Sequence, residues 1–306
     1  MMEQHLAYHK SVMPNEVIDA LNIQPAGIYV DVTFGGGGHS REILKKLDKH
    51  GRLIAFDQDK DAASNIPSDP RLLFIPQNFR HLRSFLRVHK IPPVNGILAD
   101  LGVSSFQFDT GARGFSTRYE GRLDMRMNQS SELTAAKVLN SLSQQELQLI
   151  FQNYGEVTNA KTLATSLVEA RRTKQFETMA DLNHVLRPLA KGNPQRYFAQ
   201  VYQSLRIEVN DELNALKEML DQSVKVLAPH GRLVIITFHS LEDRIVKNFF
   251  RFENNEGERE TDAFGNSEQR QLKIITKKPI LPSKEEMKIN GRSRSAKLRV
   301  AEKIEL

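Results

Sequence analysis

The densest chemistry in this 306-residue sequence lies in Asp31-Val32-Thr33-Phe34-Gly35-Gly36-Gly37-Gly38-His39-Ser40, a β-branched run that enters four glycines and then a helical pattern. Glycine lets a backbone approach a ligand in conformations closed to other residues, and a helix N-terminus presents free N–H groups, so the segment suits a nucleotide-like ligand. A plain tight turn is the competing reading. The Gly-Lys-Ser/Thr of a phosphate-binding P-loop is missing, which removes triphosphate hydrolysis. The dinucleotide pattern G-x-G-x-x-G fails too, because Ser40 or Arg41 stands where its third glycine belongs. Asp57 ends a second apolar run, where a carboxylate can accept both hydroxyls of a ribose. Asp59 and Asp61 read as turn and helix-cap residues. Asp100 ends a further run, Gly96-Ile97-Leu98-Ala99-Asp100, and either faces a cleft or closes an Asx-turn.

Other constellations are weaker. Phe238-His239-Ser240 invites a Ser–His nucleophile, but no Gly-x-Ser-x-Gly elbow exists and Ser240-Leu241-Glu242-Asp243 reads as a helix N-cap at Ser240. The nine histidines form no His-Glu-x-x-His, and there is no cysteine, so no metal site is expected and disulfides are excluded.

These residues need elements to position them. Strands are predicted at Tyr29 to Phe34, Arg52 to Phe56, Leu72 to Ile75 and Gly96 to Asp100, with helices at Ser40 to Leu47 and near 80–89. Strands alternating with helices favour a parallel sheet covered on both faces. From about Gly111 the rhythm changes to a Gly- and Arg-rich loop and helical patterns near 132–140, 143–153, 158–172 and 178–190. Alternation resumes with a long amphipathic helix carrying Leu213, Leu216, Leu220, Val224 and Leu227, then a strand from Arg232 to Phe238 and a helix through Phe250. Two last strands are predicted at Leu272 to Lys277 and Lys297 to Glu302, after an acidic surface loop over 253–270. The chain is thus expected to build an α/β domain from residues 1–110 and 205–306, interrupted by an all-helical insertion over 111–204.

Composition is that of an ordinary globular chain, with 40% hydrophobic and 26% charged residues. The net charge of +6 permits a polyanionic partner without demanding one. No secretory pattern opens the chain, and no apolar run approaches the roughly 20 residues that span a bilayer. A cytoplasmic protein without membrane partners is expected.

The residues Asp31 to Ser40, Asp100 to Phe108, Gly114-Phe115-Ser116 and Leu123-Asp124-Met125-Arg126-Met127 together resemble one family, the bacterial 16S rRNA cytosine-N4 methyltransferases (RsmH, also called MraW). The likeness continues through Leu205 to Leu213, Phe238 to Arg244 and Arg292 to Lys303, in family order along nearly the whole chain. It implies a Rossmann-like methyltransferase fold with a seven-stranded, mostly parallel sheet, using S-adenosylmethionine to methylate N4 of cytosine 1402, in conventional bacterial numbering, of 16S rRNA within the 30S subunit. A homodimer is compatible with it. The donor-binding positions that it implies are Gly37, Gly38, His39, Asp57, Phe79, Asp100 and Gln107, with Asp100 also the catalytic candidate. Thr117, Arg122 and Val157 depart from the family pattern, all in or beside the insertion, which is expected to recognise the substrate. Phe106, Phe108 and Phe115 are candidates for stacking an unpaired base, against packing as the plainer role. Arg113, Arg118, Arg122, Arg126, Arg292 and Arg294 are candidates for phosphate contacts. Two alternatives remain: a nicotinamide-dependent oxidoreductase using the same glycine turn and Asp57, and a ribosome-assembly RNA-binding protein without turnover.

Overall fold

The computed structural model describes residues 11–116, 120–255 and 269–305. The chain divides into two units, one of Met1–Gly102 with Asn214–Leu306 and one of Val103–Leu213.

The first unit opens with helix α1 (Pro14–Leu21), which the sequence reading missed although Pro14 holds the first-turn position that proline favours. Strand β1 (Ile28–Asp31), helix α2 (Gly38–Lys46), β2 (Arg52–Phe56), β3 (Leu72–Ile75), α3 (Leu82–Val88) and β4 (Val94–Asp100) follow. β1 is shorter than expected. Its pairing persists to Val32, whose N–H donates to Leu98, and the Asp31 carboxylate then draws the Thr33 N–H into a turn.

In the second unit lie α4 (Ser105–Asp109), α5 (Ala135–Ser141), α6 (Gln144–Gly155), α7 (Ala160–Thr173), α8 (Met179–Leu189) and α9 (Pro194–Asn210). Serine and threonine caps set four of these starts, Thr134 on α5 among them, and in three of them Ser104 with Gln107, Ser143 with Glu146 and Thr178 with Asp181 form capping boxes that satisfy otherwise orphaned N–H groups. One apolar core joins the helices around Phe151, Leu163, Leu182 and Val201. Val103 and Phe108 pack on that core, and Leu205 and Val209 of α9 belong to it. The boundaries therefore fall at 102/103 and 213/214, not at the expected 110/111 and 204/205.

The chain then forms α10 (Glu212–Val226), β5 (Leu227–Thr237), α11 (Ser240–Phe252), β6 (Leu272–Ile274), α12 (Lys284–Ile289) and β7 (Lys297–Lys303). The sheet order is β3-β2-β1-β4-β5-β7-β6. The strands from β3 to β5 pair in parallel, while β7 runs antiparallel to both β5 and β6. Alternate residues supply opposite faces, as a period of two requires. Val30, Ile54, Ile97 and Ile235 enter one core with α3, α10 and α11, whereas Tyr29, Leu53, Leu98 and Val234 enter another with α1 and α2. Burial on both faces explains why these strands read as unbroken apolar runs. β6 is shorter than predicted. α11 begins with His239, not Ser240, as its cap: Glu242 reaches back to the Phe238 N–H at 2.8 Å, which moves the helix start one residue earlier. Most of the anticipated acidic loop, residues 256–268, lies outside the described residues.

Candidate active site

β1 sits between β2 and β4, with α2 packed on one face of the sheet and α3 on the other, so the ends of these strands form the switch point at which an open α/β sheet holds its ligand. The tips of β1, β2 and β4 bring Asp31, Asp57 and Asp100 to that edge.

The glycine bend lies across it. Gly37 adopts φ +73° as the N-cap of α2, which has no side-chain cap. A Cβ on Gly37 would meet the Phe34 ring at 2.8 Å, and one on Gly38 would collide with the Ser11 side chain. Both glycines are thus needed for close packing within the protein. At Gly36 a Cβ would meet nothing within 4 Å, so this residue presents bare backbone to open space. The resemblance points to Gly37 and Gly38 as donor-binding positions. Four consecutive glycines give no signal that distinguishes packed members from the open one.

Asp57 follows β2 directly. Its Oδ2 accepts the Gly35 N–H at 2.7 Å and its Oδ1 the Asp59 N–H at 2.8 Å, which ties the strand tip to the glycine bend. Burial pushes this carboxyl up to about 6, against the pull of those two N–H donors. Each carboxylate oxygen has a second acceptor site, so the pair can still receive ribose hydroxyls. Asp59 takes the cap role that the sequence suggested, accepting the Asp61 N–H. Phe79 stands in a turn whose preceding residue, Asn78, accepts from the Arg80 N–H and donates to the Gln58 side chain at 2.9 Å. Its half-buried ring, packed against one sheet-face core, is thereby linked to the residue beside Asp57.

A second network joins β1 to β4. Buried Asp31 accepts the Ser40 hydroxyl at 2.7 Å and the Thr33 N–H at 3.1 Å. Burial raises its pKa, with the Ser40 hydrogen bond and His39 opposing. The Asp100 N–H donates to the Thr33 hydroxyl at 2.7 Å. His39, in the first turn of α2, is buried with Nε2 3.4 Å from Asp100 Oδ2. Burial alone would lower the His39 pKa, but contact with Asp100 and the charge of Asp31 outweigh it and raise it. Asp100 Oδ1 and His39 Nδ1 are buried polar atoms without a hydrogen-bond partner in the protein. Such atoms are costly, and here, at the ends of β1 and β4, they are placed to bond a ligand's polar group. The site therefore fits the donor that the resemblance implies, with Asp57 for a ribose and open backbone at Gly36, and it keeps an orphaned carboxylate oxygen on Asp100 for a further N–H. Asp31, Thr33 and Ser40 belong to the segment on which the sequence analysis opens, but only the fold shows that they brace Asp100 and the bend.

In the helical unit the expected residues divide differently. The Gln107 side chain is buried and accepts the Ser104 N–H at 3.0 Å, closing a capping box. Phe115 is buried in the helical core and Phe108 packs on it, whereas Phe106 is 52% exposed. Arg113 is buried, donates to the Arg126 and Met127 carbonyls and lies over the Phe115 ring. Arg126 clasps Asp124 through two nitrogens and donates to the Gln129 and Ser131 carbonyls. Two of the four loop arginines thus hold the fold together and are not available to phosphates. Arg122 is exposed, and Thr117 and Arg118 lie outside the described residues.

Known proteins resemble this chain along nearly its whole length. Residues 6–304 match the model of the MraW methylase family. The ribosomal RNA small subunit methyltransferase H of Parabacteroides distasonis is 52% identical over 306 residues, covering 99% of this chain and 100% of that protein. The proteins of the same name in Phocaeicola vulgatus and Flavobacterium johnsoniae are 52% and 50% identical over 304 residues, each covering 99% of this chain and 100% of their own length. A match of that extent leaves no room for the nicotinamide-dependent alternative: this chain belongs to the MraW methylase family.

Proposed function

We propose that this protein methylates the exocyclic N4 of cytosine 1402, in conventional bacterial numbering, of the 16S rRNA in the small ribosomal subunit. S-adenosylmethionine, the methyl donor of the family, supplies a sulfonium-activated methyl group. The observation that carries the reading is the convergence of Asp57, Gly36, His39 and Asp100 on the β1/β4 switch point, in a chain half identical throughout to enzymes named for small-subunit rRNA methylation. The choice of base, atom and position rests on the sequence resemblance.

Cytosine N4 is a weak nucleophile because its lone pair is delocalised into the ring. The protein's task is to align that nitrogen with the reactive methyl and to accept hydrogen bonds from the amino group. Asp57 holds the donor's ribose, and Gly36 lets backbone approach it. Asp100 Oδ1 accepts an N–H of the target amine, which localises electrons on nitrogen, while the His39 imidazole 3.4 Å from Oδ2 favours the ionised carboxylate. After transfer the nitrogen loses a proton. The helical unit is assigned the recognition of the RNA, with exposed Phe106 as its candidate stacking surface.

The decisive test is mass spectrometry of nucleosides after 30S particles, or naked 16S rRNA, are incubated with the protein and isotopically labelled donor. Labelled N4-methylated cytidine is the expected product. Label on another base, or none with either substrate, overturns the assignment, and the latter result favours a ribosome-assembly protein without turnover.

A further inference from the structure

Charge is distributed unevenly along the chain. The stretch from Lys273 to Arg294 holds seven cations and two carboxylates, a balance of +5 against +6 for all 306 residues. The remainder of the protein is therefore almost neutral. Lys273, Lys277, Lys278, Lys284, Lys288 and Arg294 are all exposed, and among the described residues none of them forms an ion pair. The cations of adjacent β7 behave oppositely: Lys297 and Arg299 both pair with Asp243. Four of the exposed large apolar residues also lie here, with Leu281 at 61% and Ile289 at 66%.

The position of the stretch matters as much as its charge. Glu286 of α12 accepts the Met13 N–H at 2.7 Å at the start of α1, and its charge acts on buried His39. Ser11, two residues before Met13, rests against Gly38 of the glycine bend. The basic stretch is thus fastened beside the donor-binding bend, with its one engaged carboxylate turned inward and its lysines outward.

We propose that residues 273–294 form a phosphate-binding surface that grips the backbone of the rRNA strand presented to the active site. The inference rests on the proposed rRNA methylation and adds to it the surface, on the sheet unit, that supplies the electrostatic hold. Unpaired lysines around exposed aliphatic side chains suit a flexible polyanion, since each phosphate contact releases counterions without requiring a fixed geometry. An anionic membrane is the competing partner, and it is an outcome of the test.

The test compares wild type with Lys277→Ala/Lys278→Ala/Lys284→Ala/Lys288→Ala. Binding to 16S rRNA is titrated between 50 and 200 mM salt, alongside binding of S-adenosylhomocysteine and of vesicles rich in anionic lipid. Four lost contacts are expected to flatten the slope of log affinity against log salt by about 3, so that wild type and variant converge by roughly 60-fold across that range. S-adenosylhomocysteine affinity is expected to stay unchanged, which certifies the fold. A control that removes Lys49, Lys60, Lys225 and Lys247, also exposed, is expected to keep a slope within about one unit of wild type. If wild type methylates rRNA while the quadruple variant keeps its RNA affinity and slope, this surface is refuted and the function stands. If the lysines govern vesicle binding but not RNA binding, a membrane replaces RNA as the partner. A wild type that neither binds nor methylates 16S rRNA overturns both.

Discussion

The two units differ in where their polar side chains gather. In the helical unit they serve the fold: Ser104, Ser143 and Thr178 cap helices, Gln107 closes a box, and Arg113 and Arg126 bind carbonyls of their own loop. In the sheet unit, polar groups gather at strand tips and keep unused bonding capacity, most clearly at Asp100 Oδ1 and His39 Nδ1. The difference shows where chemistry resides. Orphaned buried atoms occur in the helical unit too, at Asn159 Oδ1 and Tyr197 Oη, so it is their gathering at the strand tips beside Asp57 that points to a ligand.

The strongest way to break this contrast is Phe151→Ala, which empties the centre of the helical core. Loss of that fully buried ring is expected to cost about 3–5 kcal/mol of unfolding free energy, read from denaturant titration. Donor affinity by calorimetry should be unaffected under native conditions. If it fell in parallel, the donor site would depend on the helical core and the contrast would be lost.

Asp100→Asn tests the incomplete side. Replacing a charged acceptor by an amide removes a charge-assisted hydrogen bond worth about 1.5–3 kcal/mol, so single-turnover methylation should slow by roughly 10- to 100-fold. A wild-type rate would take Asp100 out of the chemistry.

Asp57 offers a pH test with two signs. Its folded pKa of about 6 lies above the ordinary value of 3.8, so the folded state binds the proton more tightly than the unfolded chain. The associated stability is fully present below the ordinary value and is lost as pH rises through about 6. Donor binding runs the other way, because ribose hydroxyls need the ionised carboxylate. Affinity for S-adenosylhomocysteine should fall about tenfold from pH 7 to pH 5, and Asp57→Asn should flatten both profiles. The smallest effect is expected from Ser143→Ala, which loses a capping box on α6. About 1 kcal/mol of stability should go, with methylation unchanged.

Much of the sheet unit was legible in the sequence because a strand buried on both faces must be apolar throughout, which is how Arg52–Phe56 and Leu72–Ile75 were bounded correctly. The places of Asp57 and Asp100 at strand tips were legible for the related reason that each ends such a run. What stayed hidden depends on contacts between distant segments. Gly36 differs from its neighbours only because Phe34 and Ser11 crowd Gly37 and Gly38. Arg113 and Arg126 read as surface cations until the loop folds around them, since arginine composition does not reveal which carbonyls are near. The cap of α11 was misplaced by one residue because histidine, rather than serine, occupies the position before the first helical turn.

The order of the strands also bears on how the molecule assembles. β4 and β5 are neighbours in the sheet, yet the whole of Val103–Leu213 separates them along the chain. Bringing such distant partners together from a disordered connection carries an entropic penalty that slows the search for native pairing. The intervening helices close a core of their own around Phe151, Leu163, Leu182 and Val201, so they can condense early and shorten the effective tether. A lesion in their core would then delay maturation of the sheet even where the finished enzyme tolerates it.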